Sequence, residues 1–173
     1  LFNMVGFQTR LKFGEQKRVF GMIPGLEHAE YVRYGVMHKN IYIQSPDMLD
    51  STYRLKDEKN SIGVPIYFAG QITGVEGYME STSSGLIAGI NASREHLNKE
   101  RIIFKNDTQI GALANYVSSY AGSDFQPMGA NFGIMHFDVE SVYGRVKDKK
   151  LKKLYTAENA LNRVKEILIN LQC

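Results

Sequence analysis

The sequence predicts an α/β fold, and three observations carry that prediction. The run VPIYFAG, residues 64–70, is apolar up to its closing glycine, as in a strand buried on both faces of a parallel sheet. A long helical stretch follows it directly, from about Gly77 to Leu97. Shorter β-like stretches precede the pair, so strand and helix alternate along one chain. At 173 residues, with 43% hydrophobic and 23% charged side chains, the chain is long and apolar enough to build a core without staples.

Taken in order, NMVGFQTRLKF sets Val5, Phe7, Thr9, Leu11 and Phe13 at period two, which predicts a strand. Glu15 to Met22 reads as a short helix, closed by the Pro-Gly turn of IPGLEHAE. YVRYGVMHKNIYI reads as a second strand with a kink at Gly35. QSPDMLDSTYRLKDEKN is polar and loop-like, with TYRLK as a possible short strand. After the buried run and the long helix, a further helix is expected from Thr108 to Tyr120, with Thr108 as its cap. AGSDFQPMGANFGI reads as an ordered loop, and Asp148 to Leu171 as a final amphipathic helix. No internal repeat and no low-complexity tract interrupts the pattern.

Composition narrows the function classes. No run approaches the roughly 18 apolar residues of a membrane span, which predicts a soluble chain without a membrane partner. The single cysteine, Cys173, excludes an internal disulfide and points to a reducing, cytoplasmic setting. His28, His38, His96 and His136 show no ligand spacing, so no metal site is expected. Net charge is only +3, but six Lys/Arg residues lie between Arg145 and Lys153 against the single Asp148. Arg145, Lys149, Lys150 and Lys153 are therefore candidate RNA or phosphate contacts, the alternative being a solvated helix start.

The candidate site is the turn between the buried run and the long helix, in FAGQITGVEGYMESTSSGLIAGINASR. Gly70, Gly74 and Gly77 free the backbone there to approach a bound group closely. The helix start adds unpaired N–H groups and a partial positive charge, the arrangement of a nucleotide or flavin site. A plain βα connector would show the same spacing, which matches neither G-x-G-x-x-G nor the P-loop. Within the helix, Gly85 and Gly89 each cost about 1 kcal/mol relative to alanine. Ser81, Gly85, Ala88 and Ala92 share one face, with Gly89 beside them, so a close approach of that face to a sheet or ligand is expected to offset the cost.

These residues resemble the carboxyl-terminal flavin motif of the folate- and FAD-dependent RNA uracil-5-methyltransferases. The resemblance extends to NMVGFQTRLKFGEQKRVFGMIPGLEHAEYVRYGVMHKN, TQIGALANY and FQPMGANFG, nearly the whole chain. It implies a Rossmann-like FAD/NAD(P)-binding domain, present in part, and the end of a small inserted α/β domain. Residues 1–44 would belong to the inserted domain, and 45–173 to the FAD domain with its terminal helices. It also implies the activity: methylenetetrahydrofolate donates a one-carbon unit to C5 of a tRNA uridine, reduced FAD supplies electrons, and NAD(P)H reduces the flavin. The positions matching the flavin motif are Gly70, Gln71, Ile72, Thr73, Gly74, Val75, Glu76, Gly77 and Tyr78. An rRNA-directed relative shares these motifs, and a non-catalytic RNA-binding or assembly module is the rival outside the family.

The family's amino-terminal G-x-G-x-x-G segment and its reactive cysteines are absent from these 173 residues. The expectation is a carboxyl-terminal portion that needs the amino-terminal part of the same protein and is inactive alone. The catalytic nucleophile is not identifiable. His38, at a strand end, could touch substrate or folate or be an ordinary strand-end histidine. Arg10, Arg33 and Lys39 could meet phosphate or the folate tail, or be surface charges. Glu80 reads as a first-turn acid that favours the helix start.

Overall fold

The computed structural model describes residues 2, 4–37 and 41–172. His38, Lys39 and Cys173, singled out above, lie outside them. The chain divides into two compact units, Leu1–Asn40 and Ile41–Cys173.

The first unit is built around α1, Phe13–Phe20. Its aromatic side chains cluster: Phe13 stacks on Tyr34 with centroids 5.1 Å apart, and Phe7 meets Phe20 edge-on at 5.0 Å. Neither predicted strand forms among the described residues of this unit. A buried side chain takes over the pairing instead. The Gln16 carboxamide, 1% exposed, accepts from Gly35 N at 2.9 Å and donates to Gly35 O and Leu11 O at 2.8 Å each. One amide thus satisfies the two backbone groups of Gly35 that a neighbouring strand would otherwise engage. Gly35 must lack a side chain, because a Cβ would collide with the Phe7 carbonyl.

The second unit holds the remaining helices, including α2 (Ser45–Met48), α3 (Tyr78–His96) and α4 (Gln109–Ser119). α5 (Val139–Tyr143) and α6 (Lys149–Gln172) follow. The helices expected at Gly77–Leu97, Thr108–Tyr120 and Asp148–Leu171 are therefore present, each within a residue of its predicted ends. The Thr108 hydroxyl accepts from Gly111 N at 3.0 Å, so Thr108 caps α4 as expected. α4 packs on α2 and α3, and Leu49, Tyr53, Val75, Ile87, Leu113, Val117 and Phe125 form the centre of the core.

The predicted sheet does not appear among the described residues. Pairing there is limited to isolated bridges, Leu49 with Leu55 and Arg54 with Tyr67 antiparallel, and Val75 with Met128 parallel. The 64–70 run is a partner of residues 53–55, through Leu55 N to Ile66 O at 2.8 Å and Phe68 N to Tyr53 O at 2.9 Å. Its surroundings explain the difference: Val64 and Pro65 are exposed and Ile66 to Phe68 half-buried, so it is not enclosed on two faces. Apolar content predicts burial, but a strand also needs neighbours at about 4.8 Å on its edges.

α3 also departs from expectation. Its buried side is Ser84, Ile87, Ala88 and Asn91. A Cβ at Gly89 would meet nothing within 4 Å, and one at Gly85 would meet only the Ala69 methyl at 4.0 Å. Ala88 is thus packed in the core, but the two glycines make no close approach within this chain. Gly85→Ala and Gly89→Ala should each stabilise the 173-residue chain by about 0.5–1 kcal/mol, read from thermal melts. At its far end α3 is anchored by Glu95, which accepts from Arg54 Nε at 3.1 Å and from the Tyr67 hydroxyl at 2.5 Å. Burial, reinforced by the Glu95 carboxylate, holds the Tyr67 phenol well above its usual titration range.

Candidate functional site

The glycine turn is assembled by hydrogen bonds that converge on its backbone. Gln71–Thr73 form one 3-10 turn, entered by Gly70 at φ 77° and left by Gly74 at φ 84°. Both angles lie where L side chains are strained, so both positions favour glycine. Gly70 N donates to the Ser84 hydroxyl at 2.7 Å, and the Thr73 hydroxyl donates to Gly70 O at 2.8 Å. From the other side, Ser45 Oγ donates to Thr73 O at 2.8 Å and Ile43 N to Ile72 O at 2.9 Å. Gly77, at φ 116°, then starts α3.

The glycines serve different ends. A Cβ at Gly74 would lie 2.5 Å from the Phe125 ring, so packing, not open space for a ligand, forbids a side chain there. At Gly70 a Cβ would meet nothing within 4 Å, leaving its positive φ as the only constraint. Thr73, Gly74 and Val75 are buried, whereas Gln71, Ile72, Glu76, Gly77 and Tyr78 are exposed and Gly70 half-buried. Of the nine motif positions, the central three thus build the turn and the flanking six are accessible. Tyr78 and Met79, 95% and 78% exposed, project from the first turn of α3.

The loop at 124–133 is the second wall of this site. Met128 N donates to Gly74 O and Glu76 N to Met128 O, both at 2.9 Å, which makes the Val75–Met128 bridge. Ala130 N donates to Glu80 Oε1 at 3.1 Å. Tyr116, on α4, donates its hydroxyl to Gln126 O at 2.8 Å. Glu80, read from sequence as a simple first-turn acid, is therefore also a tether between α3 and this loop. Its carboxylate folds back toward Gly77, where a Cβ would collide with Oε2. Ser45 shapes the turn without any sequence signal marking it, and although Ser84 and Phe125 lie in segments singled out above, nothing in the sequence showed that they meet Gly70 and Gly74.

Among the described residues, the N–H groups of Tyr78, Met79 and Glu80 have no hydrogen-bond partner, as first-turn amides of a helix do not. Donors on the positive end of a 19-residue helix suit an anionic or hydrogen-bond-accepting group, and the Glu80 carboxylate, folded back toward Gly77, already places one negative charge there. A separate cavity of about 670 Å³, bordered by Phe7, Phe20, Tyr31 and Tyr34 in the first unit, contains none of these residues.

The candidate RNA contacts lie at α6. Arg145, Lys149, Lys150 and Lys153 are all exposed, while Lys152 pairs with Glu140 at 2.5 Å. The Lys153 ammonium sits 5.8 Å from the centroid of the Phe132 ring, in the same 124–133 loop that borders the glycine turn. Two lysines begin α6, where positive charge opposes the helix dipole, and Asp148 caps it through Lys150 N at 2.8 Å. Among the described residues no group of His, Cys, Asp or Glu could hold a metal ion, and no helix is long and apolar enough to cross a membrane.

Comparison with known proteins agrees with the motif. The family model described as glucose inhibited division protein A matches residues 1–100. The methylenetetrahydrofolate–tRNA-(uracil-5-)-methyltransferase TrmFO of Acetivibrio thermocellus is 57% identical over 166 residues, 96% of this chain and 36% of that protein. Its namesakes from Caldicellulosiruptor bescii and Listeria monocytogenes are 56% and 54% identical over 167 residues, with the same coverage. The chain thus spans about a third of the length of the curated relatives it matches. A crystal structure of Aquifex aeolicus GidA superposes with a TM-score of 0.51 at 26% identity, over 70% of this chain and 19% of that one. The chain therefore belongs to the glucose inhibited division protein A family.

Proposed function

We propose that this chain is the carboxyl-terminal part of a flavoprotein that methylates C5 of a uridine in tRNA, with methylenetetrahydrofolate as one-carbon donor. The observation that carries the reading is the open amino end of α3 behind the Gly70–Gly77 turn, in a chain 57% identical to a relative of that name. Gly70, Gln71, Ile72, Glu76, Gly77 and Tyr78 would line the flavin's pyrimidine edge, while Thr73, Gly74 and Val75 hold the turn beneath. When bound, reduced FAD supplies electrons, and NAD(P)H is its reductant. The chain's own contribution is to bind and orient: first-turn amides of α3 donate hydrogen bonds, and the helix end favours negative charge by about 1 kcal/mol. Residues 1–44 would be the end of the inserted domain and 45–173 part of a Rossmann-like FAD domain. The rest of that domain's sheet and the catalytic nucleophile would come from the part of the protein outside this chain.

The test uses the full-length protein carrying this chain. Purified protein should be yellow and, with methylenetetrahydrofolate and NADH, form 5-methyluridine in unmodified tRNA, detected by nuclease digestion and mass spectrometry. The 173-residue chain alone should form none. A colourless full-length protein that leaves tRNA unchanged would overturn the reading, and methylation of ribosomal RNA alone would move it to the rRNA-directed relative.

Arg145, Lys149, Lys150 and Lys153 are proposed to meet tRNA phosphates. Lysines at a helix amino end are electrostatically costly, and phosphate would relieve that cost. Changing Lys149, Lys150 and Lys153 together to Ala in the full-length protein should weaken tRNA binding and lower the salt slope. The expected drop is about 0.7–0.9 of slope per contact removed. Unchanged affinity and slope would return the segment to a solvated helix start.

A further inference from the structure

We infer that the exposed face of the Tyr143 ring is a base-stacking platform, on which an unpaired base of the RNA rests while neighbouring cations hold its phosphates. The inference rests on the reading of Arg145, Lys149, Lys150 and Lys153 as RNA contacts, and adds a residue that selects the form of the RNA. Tyr143 ends α5, and its ring centroid lies 4.1 Å from that of Tyr155 on α6, with the planes 4° apart. Three residues earlier on each helix, Glu140 and Lys152 pair at 2.5 Å, so two contacts about one turn apart fix the ring. Tyr155 is half-buried and Tyr143 is 43% exposed. With one face taken by Tyr155, that exposure falls on the opposite face and the ring edge. The chain then turns away, since Gly144 takes φ 72° and a Cβ there would meet nothing within 4 Å. A parallel pair with one ring open is a stack that a further flat ring extends.

The surroundings select a nucleic acid as the occupant. Arg145, Lys147, Lys149 and Lys150, all exposed, lie in the seven residues that follow Tyr143. The nearby acids are committed: Glu140 to Lys152, Asp138 to the first amides of α5, and Asp148 to Lys150 N. The occupant must therefore bring negative charge and a flat apolar ring together. Every nucleotide does so, whereas a polypeptide segment covering the patch would need acidic and aromatic side chains set side by side. The other aromatic bordering the cluster, Phe132, is already met by the Lys153 ammonium at 5.8 Å from its centroid. Bases within a duplex stack on one another, so only a looped or splayed base can take the Tyr143 face. Tyr143 thus favours RNA with unpaired bases, while the cations bind paired and unpaired RNA alike.

Titration of the full-length protein with unmodified tRNA, and with a fully paired RNA duplex, tests this. Tyr143→Leu keeps an apolar group on Tyr155 but no flat face, and should raise the tRNA dissociation constant about 5- to 100-fold. Its salt slope should match the wild type, because no phosphate contact is removed, and duplex binding should not change. Tyr143→Phe should bind tRNA as the wild type does, since the ring and not the hydroxyl stacks. Tyr143→Trp adds a signal to a chain with no tryptophan of its own, and its emission above wild type should be quenched by tRNA but not by duplex. Where Tyr143→Leu fails to fold, that emission decides alone. Unchanged tRNA affinity of Tyr143→Leu, an equal loss on duplex, or emission of Tyr143→Trp indifferent to tRNA each overturns the inference. If the Lys149, Lys150 and Lys153 triple variant weakens tRNA binding while Tyr143→Leu does not, stacking alone falls. If neither alters binding, the RNA reading of the segment falls with it.

Discussion

Gly74→Val should unfold the second unit rather than merely empty a ligand site, at a cost of about 2–6 kcal/mol. Two independent penalties combine. Gly74 sits at φ 84° and ψ 12°, where a β-branched residue is strained by roughly 1–3 kcal/mol. The new Cβ would also fall 2.5 Å from the Phe125 ring, which is 3% exposed and packed with Tyr42, Tyr116 and Tyr120, so overpacking adds roughly 1–3 kcal/mol. The control is Gly70→Ala, where φ is 77° and ψ −162° but the space is open, so about 1–3 kcal/mol of backbone strain is expected with no overpacking. Melts and flavin absorbance of both variants in the full-length protein separate the effects. Gly74→Val should lose fold and flavin together, whereas flavin loss from a folded Gly70→Ala would report on the site itself. Wild-type melting of Gly74→Val would refute the packing argument.

Gln16→Leu should release the 31–37 segment of the first unit and destabilise that unit by about 2–4 kcal/mol. The substitution is close in volume and apolar, so little packing is lost. What it removes are the partners of Gly35 N, Gly35 O and Leu11 O, each of which costs roughly 1–3 kcal/mol if left buried and unpaired, less where water reaches it. The readout is amide hydrogen exchange at Gly35, which should accelerate strongly, with tyrosine fluorescence following the loosening of Tyr31 and Tyr34. Gly35 exchange at the wild-type rate would show that the carboxamide is not what holds the segment.

Sequence alone determined the three long helices of the second unit, the cap at Thr108, the glycine turn and the family, because these are local; the short α2 and α5 carried no such signal. A hydrophobic period, a hydroxyl three residues before an N–H, and a run of glycines each act within one or two turns of chain. The nine positions from Gly70 to Tyr78, as a set, came from the family resemblance and not from local pattern. Only the tertiary structure decided which of them are buried, that Phe125 claims the space at Gly74, and that Glu80 ties α3 to the loop carrying Phe132. Those facts depend on residues some 50 positions apart meeting, which no local pattern encodes. The predicted strands failed on the same ground. Period and apolarity mark a segment as able to pair, but pairing requires a neighbour at hydrogen-bonding distance. For Gly35 that neighbour is the side chain of Gln16, where a strand was expected. The glycines of α3 are the remaining case: sequence registers their local cost, while whether anything approaches closely enough to offset it is a property of the packed molecule.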